Sequence, residues 1–172
     1  MSGTVERVVL RPMTPADVPD VVAVQEPASV IGLADVFPQD AYPFPRDEIA
    51  ARWRQELAAP DIDCYVVLLD SAVVGFAAIK GEELLHFGIA VEHWGTGVAR
   101  LVHDEVLGLM RRKGVRRTWL RVFAGNARGR RFYEKLGWHD TGERSNSTYP
   151  PYAELLHYAR DLRQSRSVGA RR

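Results

Sequence analysis

The sequence predicts a single mixed α/β domain, and three observations lead to this fold class. The chain has 172 residues, which is the length of one domain with one sizeable hydrophobic core. Apolar strand-like runs alternate along it with segments of helical spacing. Several of these runs follow one another directly, which favours a mostly antiparallel sheet. We assign residues 1–164 to this domain and expect the polar, basic segment 165–172 to be a disordered tail.

The first half of the chain is predicted to contain a strand, two helices and a hairpin. Thr14 followed by Pro15 is a typical helix start, because threonine caps the first turn and proline suits the first helical position. Residues 28–45 are rich in proline, glycine and aromatic side chains, so we expect a long irregular binding loop there. Asp70 and Ser71 separate two valine-rich runs, which predicts a β-hairpin. The predicted elements are a strand at 8–11, a helix from Pro15 through Gln25, a helix at 47–57, and strands at 64–69 and 73–79.

The second half is predicted to place two helices among four strands. Apolar residues recur at helical spacing between Val98 and Leu109, so one face of that helix belongs to the core. Gly114 and Gly137 each follow a helical segment, as is typical of helix C-termini. The predicted elements are strands at 82–91, 117–123, 138–143 and 154–158, with helices at 98–110 and 127–136. Sequential strands are expected to pair as antiparallel neighbours.

Charge and cysteine content narrow the class of partner. The 23 basic and 22 acidic residues leave a net charge of +1, so no global field would gather nucleic acid or anionic lipid. We therefore expect a small-molecule partner, no nucleic acid and no membrane. Cys64 is the single cysteine, and the histidines show no spacing of a metal site, so we expect neither a disulfide nor a metal. With no apolar leader segment, the expected location is cytoplasmic.

The junction between the strand at 82–91 and the next helix has the character of an anion site. Gly95 and Gly97 allow a tight turn with exposed amides, and the helix that follows adds the positive end of its dipole. A Walker A loop would need Lys-Ser or Lys-Thr after the last glycine, which is missing, and Arg100 stands where a dinucleotide fingerprint needs its third glycine. The junction predicts a phosphate-bearing cofactor of another kind.

A second motif, running from Asn126 to Trp138, gives this junction a family context. Together the two segments resemble the central motifs of the GNAT family of N-acetyltransferases, Gln/Arg-x-x-Gly-x-Gly/Ala and Asn-x-x-Ala-x-x-Phe-Tyr-x-x-Leu-Gly-Phe. The first motif maps onto residues 94–99 and the second onto 126–138. Trp94 and Gly129 depart from the pattern, which has Gln or Arg and Ala at those places. Gly129 is expected to cost the helix about 1 kcal/mol.

The resemblance implies the acyl-CoA N-acyltransferase fold, a twisted, mostly antiparallel sheet whose two central strands splay apart to admit acetyl-CoA. Those strands would be 84–91 and 117–123. The backbone amides of residues 95–99 would cradle the pyrophosphate, and Asn126 would cap its helix and bond the pantetheine arm. The residues expected to bind the cofactor are Ile89, Ala90, Val91, Trp94, Gly95, Thr96, Gly97, Val98, Ala99, Arg100, Asn126, Gly129, Arg130 and Tyr133.

The resemblance also implies catalytic roles. Tyr133 matches the family tyrosine taken as the general acid for the departing thiolate, and the amide of Ile89 would face the thioester oxygen. Glu83 stands where many members carry the base that deprotonates the amine, directly or through water. His86 and Glu154 are further candidates for the base, each with a structural role as the alternative.

The predicted activity is direct acetyl transfer from acetyl-CoA to an amine of a small molecule. The absence of a positioned Cys/His pair favours direct attack over a covalent enzyme intermediate. The aromatic residues Phe37, Tyr42, Phe44, Tyr149 and Tyr152 are expected to wall the acceptor end. Two alternatives stay open: a protein N-terminal (Rim-like) acetyltransferase, since one such branch often carries Trp at the place of Trp94, and a non-catalytic acyl-CoA-binding module. A homodimer is also open, because dimers are common in the family.

Overall fold

A seven-stranded sheet with helices on both faces forms the body of the protein. The computed structural model describes residues 7–163, so the predicted tail at 165–172 lies outside the described residues. Short 3-10 turns occur at Pro15–Asp17 and Val91–His93. In chain order the elements are β1 (Val8–Pro12), α1 (Val18–Gly32), α2 (Arg46–Ala58), β2 (Ile62–Leu69), β3 (Ala72–Lys80), β4 (Glu83–Ile89), α3 (Val98–Arg112), β5 (Arg117–Phe123), α4 (Ala127–Lys135), β6 (His139–Asn146) and β7 (Glu154–Asp161).

The strand order is β1-β2-β3-β4-β5-β7-β6. The predicted mixed α/β class with a mostly antiparallel sheet is confirmed. Sequential antiparallel pairing holds from β1 to β4 but is wrong at two later places. β4 and β5 are parallel, because α3 carries the chain back before β5 begins. β5 pairs with β7 and not with β6, because β7 contributes the buried Leu156 and Tyr158 while the polar β6 takes the exposed edge.

The predicted hairpin between β2 and β3 is confirmed. Asp70 and Ser71 have φ of 48° and 71°, the left-handed conformation at both positions that a two-residue hairpin turn requires. This turn fixes the register that pairs Leu69 with Ala72.

The first helix differs from its prediction, since α1 continues to Gly32 and only the segment after it is irregular. Pro27 lies inside the helix with its side chain exposed. A proline removes one backbone hydrogen bond but does not forbid the next turn when its ring points to solvent. Contact between Gly32 and the Trp94 ring, at 3.4 Å from a Cβ built on Gly32, supports the extra turn.

Strand β4 ends earlier than predicted, because Val91 belongs to a 3-10 turn. β4 and β5 share one residue pair, Glu83 with Trp119, and part beyond it. The predicted splay of the two central strands is therefore confirmed, and it leaves a cleft that widens toward Ile89.

Two hydrophobic cores lie on opposite faces of the sheet. Trp53 and Phe76 belong to the core under α1 and α2, on what we call the α1/α2 face. Met110 and Trp138 belong to the core under α3 and α4, on the α3/α4 face. Among the described helices, none is both long and apolar enough to cross a membrane.

Candidate active site

The edge of β4 that faces the cleft carries unpaired backbone groups. The Ala90 amide donates to the Val74 carbonyl at 2.7 Å, so Ala90 faces β3. Backbone direction alternates along a strand, so the amides of Phe87 and Ile89 face away from β3, where β5 has already diverged. The amide predicted to face a thioester oxygen, that of Ile89, thus lies on the cleft side. The Phe87 amide also lies on the cleft side. It could have been identified from the sequence, because Phe87 is two residues from Ile89 and alternate amides of a strand point to the same side.

Ala90, by contrast, offers no free main-chain group. Its amide bonds Val74 and its carbonyl accepts from His93 at 3.0 Å. Both bonds follow from strand parity and from the 3-10 turn that begins after Ala90. The contact predicted for Ala90 could only come from its methyl group.

Trp94 is a packing residue that ties the glycine turn at residues 95–97 to three other elements. Its Nε1 donates to the Ile89 carbonyl at 2.9 Å, and the guanidinium of Arg128 stacks 4.2 Å from its ring centroid. Its far edge lies against Gly32. The departure from the family pattern therefore replaces a polar side chain with a brace between the end of β4, α1 and the first turn of α4.

The turn before α3 presents its amides to open space. Gly95 and Gly97 have φ of 74° and 92°, and a Cβ at either position would meet nothing within 4 Å. Glycine is needed here for its left-handed backbone, and space in front of the turn stays free. Thr96 fixes the turn by donating from Oγ1 to the His93 carbonyl at 2.6 Å. Within the described chain, no acceptor is bonded by the amides of Gly95, Thr96, Gly97, Ala99 and Arg100.

These features fit the acetyl-CoA that the sequence implies. A turn of free amides at a helix N-terminus suits a pyrophosphate, because the amides and the helix dipole both favour an anion. An unpaired strand edge suits an amide-bearing arm, which can bond to it as a neighbouring strand would.

At the start of α4, Asn126 caps the helix as predicted. Its Oδ1 accepts from the Gly129 amide at 2.9 Å. A Cβ on Gly129 would lie 2.5 Å from Asn126 Nδ2, so glycine here leaves room for the capping side chain. This local reason for Gly129 was missed from sequence.

Tyr133 projects from α4 into the α3/α4 face. Its ring packs edge-on against Phe132 and Trp138, with centroids 5.3 and 5.7 Å apart. Burial raises the pKa of its phenol well above the usual value, so it stays protonated at neutral pH. Its hydroxyl has no hydrogen-bond partner among the described residues. It is nevertheless not a fully buried atom, because the one buried side-chain nitrogen or oxygen without a partner in the described residues is Arg160 Nη1. The Tyr133 hydroxyl therefore keeps contact with solvent.

The two arginines predicted to reach the cofactor differ. Arg130 donates from Nε to the Tyr158 hydroxyl and from Nη1 to the Ala124 carbonyl, both at 3.1 Å. It braces α4 against β7. Arg100 is exposed beside the free amides of the turn and forms no ion pair among the described residues.

Glu83 lies at the vertex of the cleft, where β4 and β5 still pair. Its side chain is 9% exposed, and its Oε1 accepts from Arg121 Nε at 3.0 Å. Lys80 faces it across the β3–β4 ladder. The predicted base is thus a carboxylate already neutralised by an arginine.

An open groove of about 460 Å³ lies on the α1/α2 face, between α2 and the loop before β7. It includes Tyr149, one of the predicted acceptor aromatics. Phe37 packs edge-on against Phe123 at 5.3 Å, whereas Tyr152 is 59% exposed. The lining residues are Glu48, Ala51, Arg52, Gln55, Glu56, Thr148 and Tyr149.

Glu56 links this groove to β4. Its carboxylate bonds His86 Nε2 at 2.8 Å and accepts from Arg52 Nε at 2.9 Å. Burial alone would raise the pKa of Glu56, but the bonds from His86 and Arg52 outweigh it and hold that pKa below its usual value. Sequence analysis missed Glu56; its place three residues after the buried Trp53, on the inward side of α2, was the available signal.

Comparison with known proteins places this geometry in a family. The Acetyltransferase (GNAT) family model matches residues 29–138. No curated protein matches the chain in sequence.

Solved structures share the fold at low identity. The PaiA N-acetyltransferase of Thermoplasma acidophilum, in complex with coenzyme A, has a TM-score of 0.69 at 17% identity, over 90% of this chain and 99% of that one. The ribosomal-protein-S18-alanine N-acetyltransferase of Escherichia coli gives 0.67 at 15%, over 96% and 100%. The spermidine N-acetyltransferase of Vibrio cholerae, with CoA and spermine, gives 0.67 at 15%, over 90% and 95%.

The family model covers more than half of the chain, including the glycine turn before α3 and the whole of the second motif. The chain therefore belongs to the GNAT family of acetyltransferases, and it is an N-acetyltransferase whose acyl donor is acetyl-CoA.

Proposed function

We propose that the protein transfers an acetyl group from acetyl-CoA directly to the amine of a small molecule. The observation that carries this proposal is the splay of β4 and β5, which leaves the cleft-side amides of β4 without a partner strand just before the free amides that precede α3. The groove on the α1/α2 face is linked to β4 by the bond between Glu56 and His86. A donor held at one side of the sheet would meet an acceptor entering from the other.

Direct transfer is favoured because the chain has no activated thiol. Cys64 is buried in β2, and burial raises its pKa to about 11. A thiol so rarely ionised at neutral pH makes a poor nucleophile.

The cofactor would be held along the cleft. The amides of residues 95–99 would bind its pyrophosphate, with Arg100 beside them, and the cleft-facing amide of Ile89 would polarise the thioester oxygen. Val91, Trp94, Asn126, Gly129 and Arg130 complete the proposed wall, in which Trp94 and Arg130 act by bracing the backbone. Acetyl-CoA supplies an activated carbonyl and a thiolate leaving group.

Tyr133 would return a proton to that thiolate. Its raised pKa keeps the phenol protonated at neutral pH. Its hydroxyl forms no hydrogen bond among the described residues and is free to contact the sulfur.

The need for a base depends on the acceptor. A lysine-like amine with pKa of about 10.4 costs roughly 4 to 5 kcal/mol to deprotonate at neutral pH, whereas an α-amine near 8 costs about 1. Glu83, directly or through water, is the base that the family pattern proposes, at the closed end of the cleft.

A small-molecule acceptor is favoured by the size and charge of the groove. About 460 Å³ lies within the range of small-ligand sites, and the lining carboxylate of Glu48 would attract a cationic amine, whereas Glu56 is already bonded to Arg52 and His86. The similar V. cholerae structure holds spermine. Acetylation of a protein N-terminus is the second candidate, since the similar E. coli enzyme acts on the alanine of a ribosomal protein and since Trp94 is typical of one such branch.

The proposal is tested by binding and turnover. Calorimetric titration with acetyl-CoA should show saturable heat of binding. The Gly97→Val variant should have a lower affinity for acetyl-CoA, because valine cannot adopt a φ of 92° without strain. Thiol release should then be screened with spermidine, free amino acids and an alanine-terminated peptide. Absence of heat at high micromolar acetyl-CoA contradicts cofactor binding, and turnover of the peptide alone selects the N-terminal alternative.

A further inference from the structure

We propose that His86 is the proton acceptor for the incoming amine and that Glu56 is its positioning residue. This inference rests on the proposed function and names a group in the same site. It differs from the family pattern, which points to Glu83.

The bond to Glu56 determines which imidazole nitrogen is basic. His86 Nε2 lies 2.8 and 3.0 Å from the two oxygens of the Glu56 carboxylate. A carboxylate accepts hydrogen bonds, so Nε2 carries the proton and Nδ1 carries the lone pair. Nδ1 has no hydrogen-bond partner among the described residues. Arg160 Nη1 is the one fully buried side-chain atom there that lacks a partner, so Nδ1 is accessible to solvent.

The location of His86 suits an acceptor amine better than that of Glu83. His86 precedes Phe87, whose amide faces the cleft, and it is three residues from Ile89 along β4. At about 3.3 Å per residue this is roughly 10 Å, against roughly 20 Å from Glu83 to Ile89. Glu83 is also bonded to Arg121 at the vertex, where no cleft has yet opened.

Acid and base would act from opposite faces of the sheet. His86 packs at a tilt against Trp53 of α2, with ring centroids 5.0 Å apart, on the α1/α2 face. Tyr133 packs into the core of the α3/α4 face. An amine in the groove, which Glu56 lines, would therefore approach the carbonyl on the side of His86 while the sulfur leaves on the side of Tyr133.

The charged and titratable groups near His86 come from each element packed against it. Arg52 shares the Glu56 carboxylate from α2, Cys64 on β2 stays a neutral thiol, and the Glu83–Arg121 pair sits on the same face of β4 and β5. Glu56 is the carboxylate in contact with the imidazole. It would stabilise the imidazolium formed during the reaction.

Protons and bonds balance over the transfer. The amine nitrogen bonds the acetyl carbon and gives one proton to His86 Nδ1. The bond from that carbon to sulfur breaks, and the sulfur takes the proton of the Tyr133 hydroxyl. The amide and the free thiol leave, and the proton on His86 returns to Tyr133 through solvent.

The test is the pH dependence of kcat/KM with the fastest amine of the screen above. His86→Gln should lower kcat by about 10²- to 10⁴-fold with an unchanged KM for acetyl-CoA, and it should abolish the rising limb of the profile. Glu56→Gln should lower kcat less, again with an unchanged KM for acetyl-CoA, because the imidazolium formed in the reaction loses its carboxylate. His139→Gln, an exposed histidine at the start of β6, is the matched control and should behave as wild type.

The inference is overturned if His86→Gln keeps the limb and its kcat within about threefold of wild type, or if Glu83→Gln alone abolishes the limb. Calorimetry with CoA checks that each variant is folded. If His86→Gln fails to fold, kcat of Glu56→Gln decides, and a kcat equal to that of wild type contradicts the proposal. A wild-type protein that acetylates none of the amines refutes the proposed function itself, whereas an active wild type with unaffected variants refutes this inference alone.

Discussion

Tyr133 owes its properties to the aromatic rings around it. Phe132 and Trp138 contact its ring and offer the hydroxyl no hydrogen bond, so no neighbouring group stabilises the phenolate in this largely apolar setting. The result is a phenol that keeps its proton at neutral pH. The same burial makes it a weaker acid than the thiol it would form, so donation depends on the phenol and the sulfur being held in contact.

Replacing Tyr133 with Phe should isolate this role. The ring packing stays while the proton is lost, so kcat should fall by about 10²-fold or more and acetyl-CoA affinity should stay within about twofold. Steady-state thiol release and calorimetry measure the two quantities. Tyr65→Phe, at a half-buried position of β2 outside the predicted site, is the control. Unchanged turnover in Tyr133→Phe would remove it as the acid.

The start of α4 shows how an element can depend on the absence of a side chain. Asn126 and Gly129 share one small space, in which the amide side chain of Asn126 caps the helix. Alanine is the better helix former by about 1 kcal/mol, but its Cβ would meet the cap.

A double-mutant cycle tests this coupling. Asn126→Ala should destabilise the protein by about 1 kcal/mol through loss of the cap. Gly129→Ala should fail to stabilise the wild type, yet should stabilise the Asn126→Ala variant by about 1 kcal/mol, because the obstruction is gone. Urea unfolding gives all four free energies. Equal effects of Gly129→Ala in both backgrounds would contradict the coupling.

At the scale of the whole molecule, a buried histidine joins the two walls of the cleft. His103 of α3 accepts from Trp138 Nε1 at 2.9 Å, and its Nδ1 lies 3.0 Å from Asp104 Oδ1. Its ring also meets Phe87 of β4 and Phe132 of α4 edge-on. The indole can only donate, so His103 must stay neutral at Nε2 to keep the bond.

This arrangement predicts a loss of stability in mild acid. Burial lowers the pKa of His103 and outweighs the opposing effect of Asp104. Below a pH of about 6.5 the unfolded chain binds a proton that the folded chain does not, so stability falls as the pH drops through that region. The loss should be on the order of 1 kcal/mol between pH 7.5 and 5.5, measured by urea unfolding. His103→Gln should abolish most of this difference, and His139→Gln should retain it; the same slope in all three proteins would contradict the assignment.

Much of the fold could be read from local patterns. The hairpin at Asp70-Ser71, the helix after Gly97 and the strand Arg117–Phe123 each depend on signals within a few residues. The extension of α1 past Pro27 could not, because it depends on contact with Trp94, which is distant in sequence. The order of β6 and β7 likewise depends on which strand buries more apolar surface once both are present.

The sequence by itself determined the family, the glycine turn before α3 and the cap of α4, because glycine conformations and a capping asparagine are local chemistry that one segment can specify. Only the tertiary structure decided what Trp94 does, which amides of β4 stay free, and that His86 meets Glu56 beside an open groove. These depend on strand parity and on side chains from different elements meeting in space, and such contacts leave no signal within a single segment of the chain.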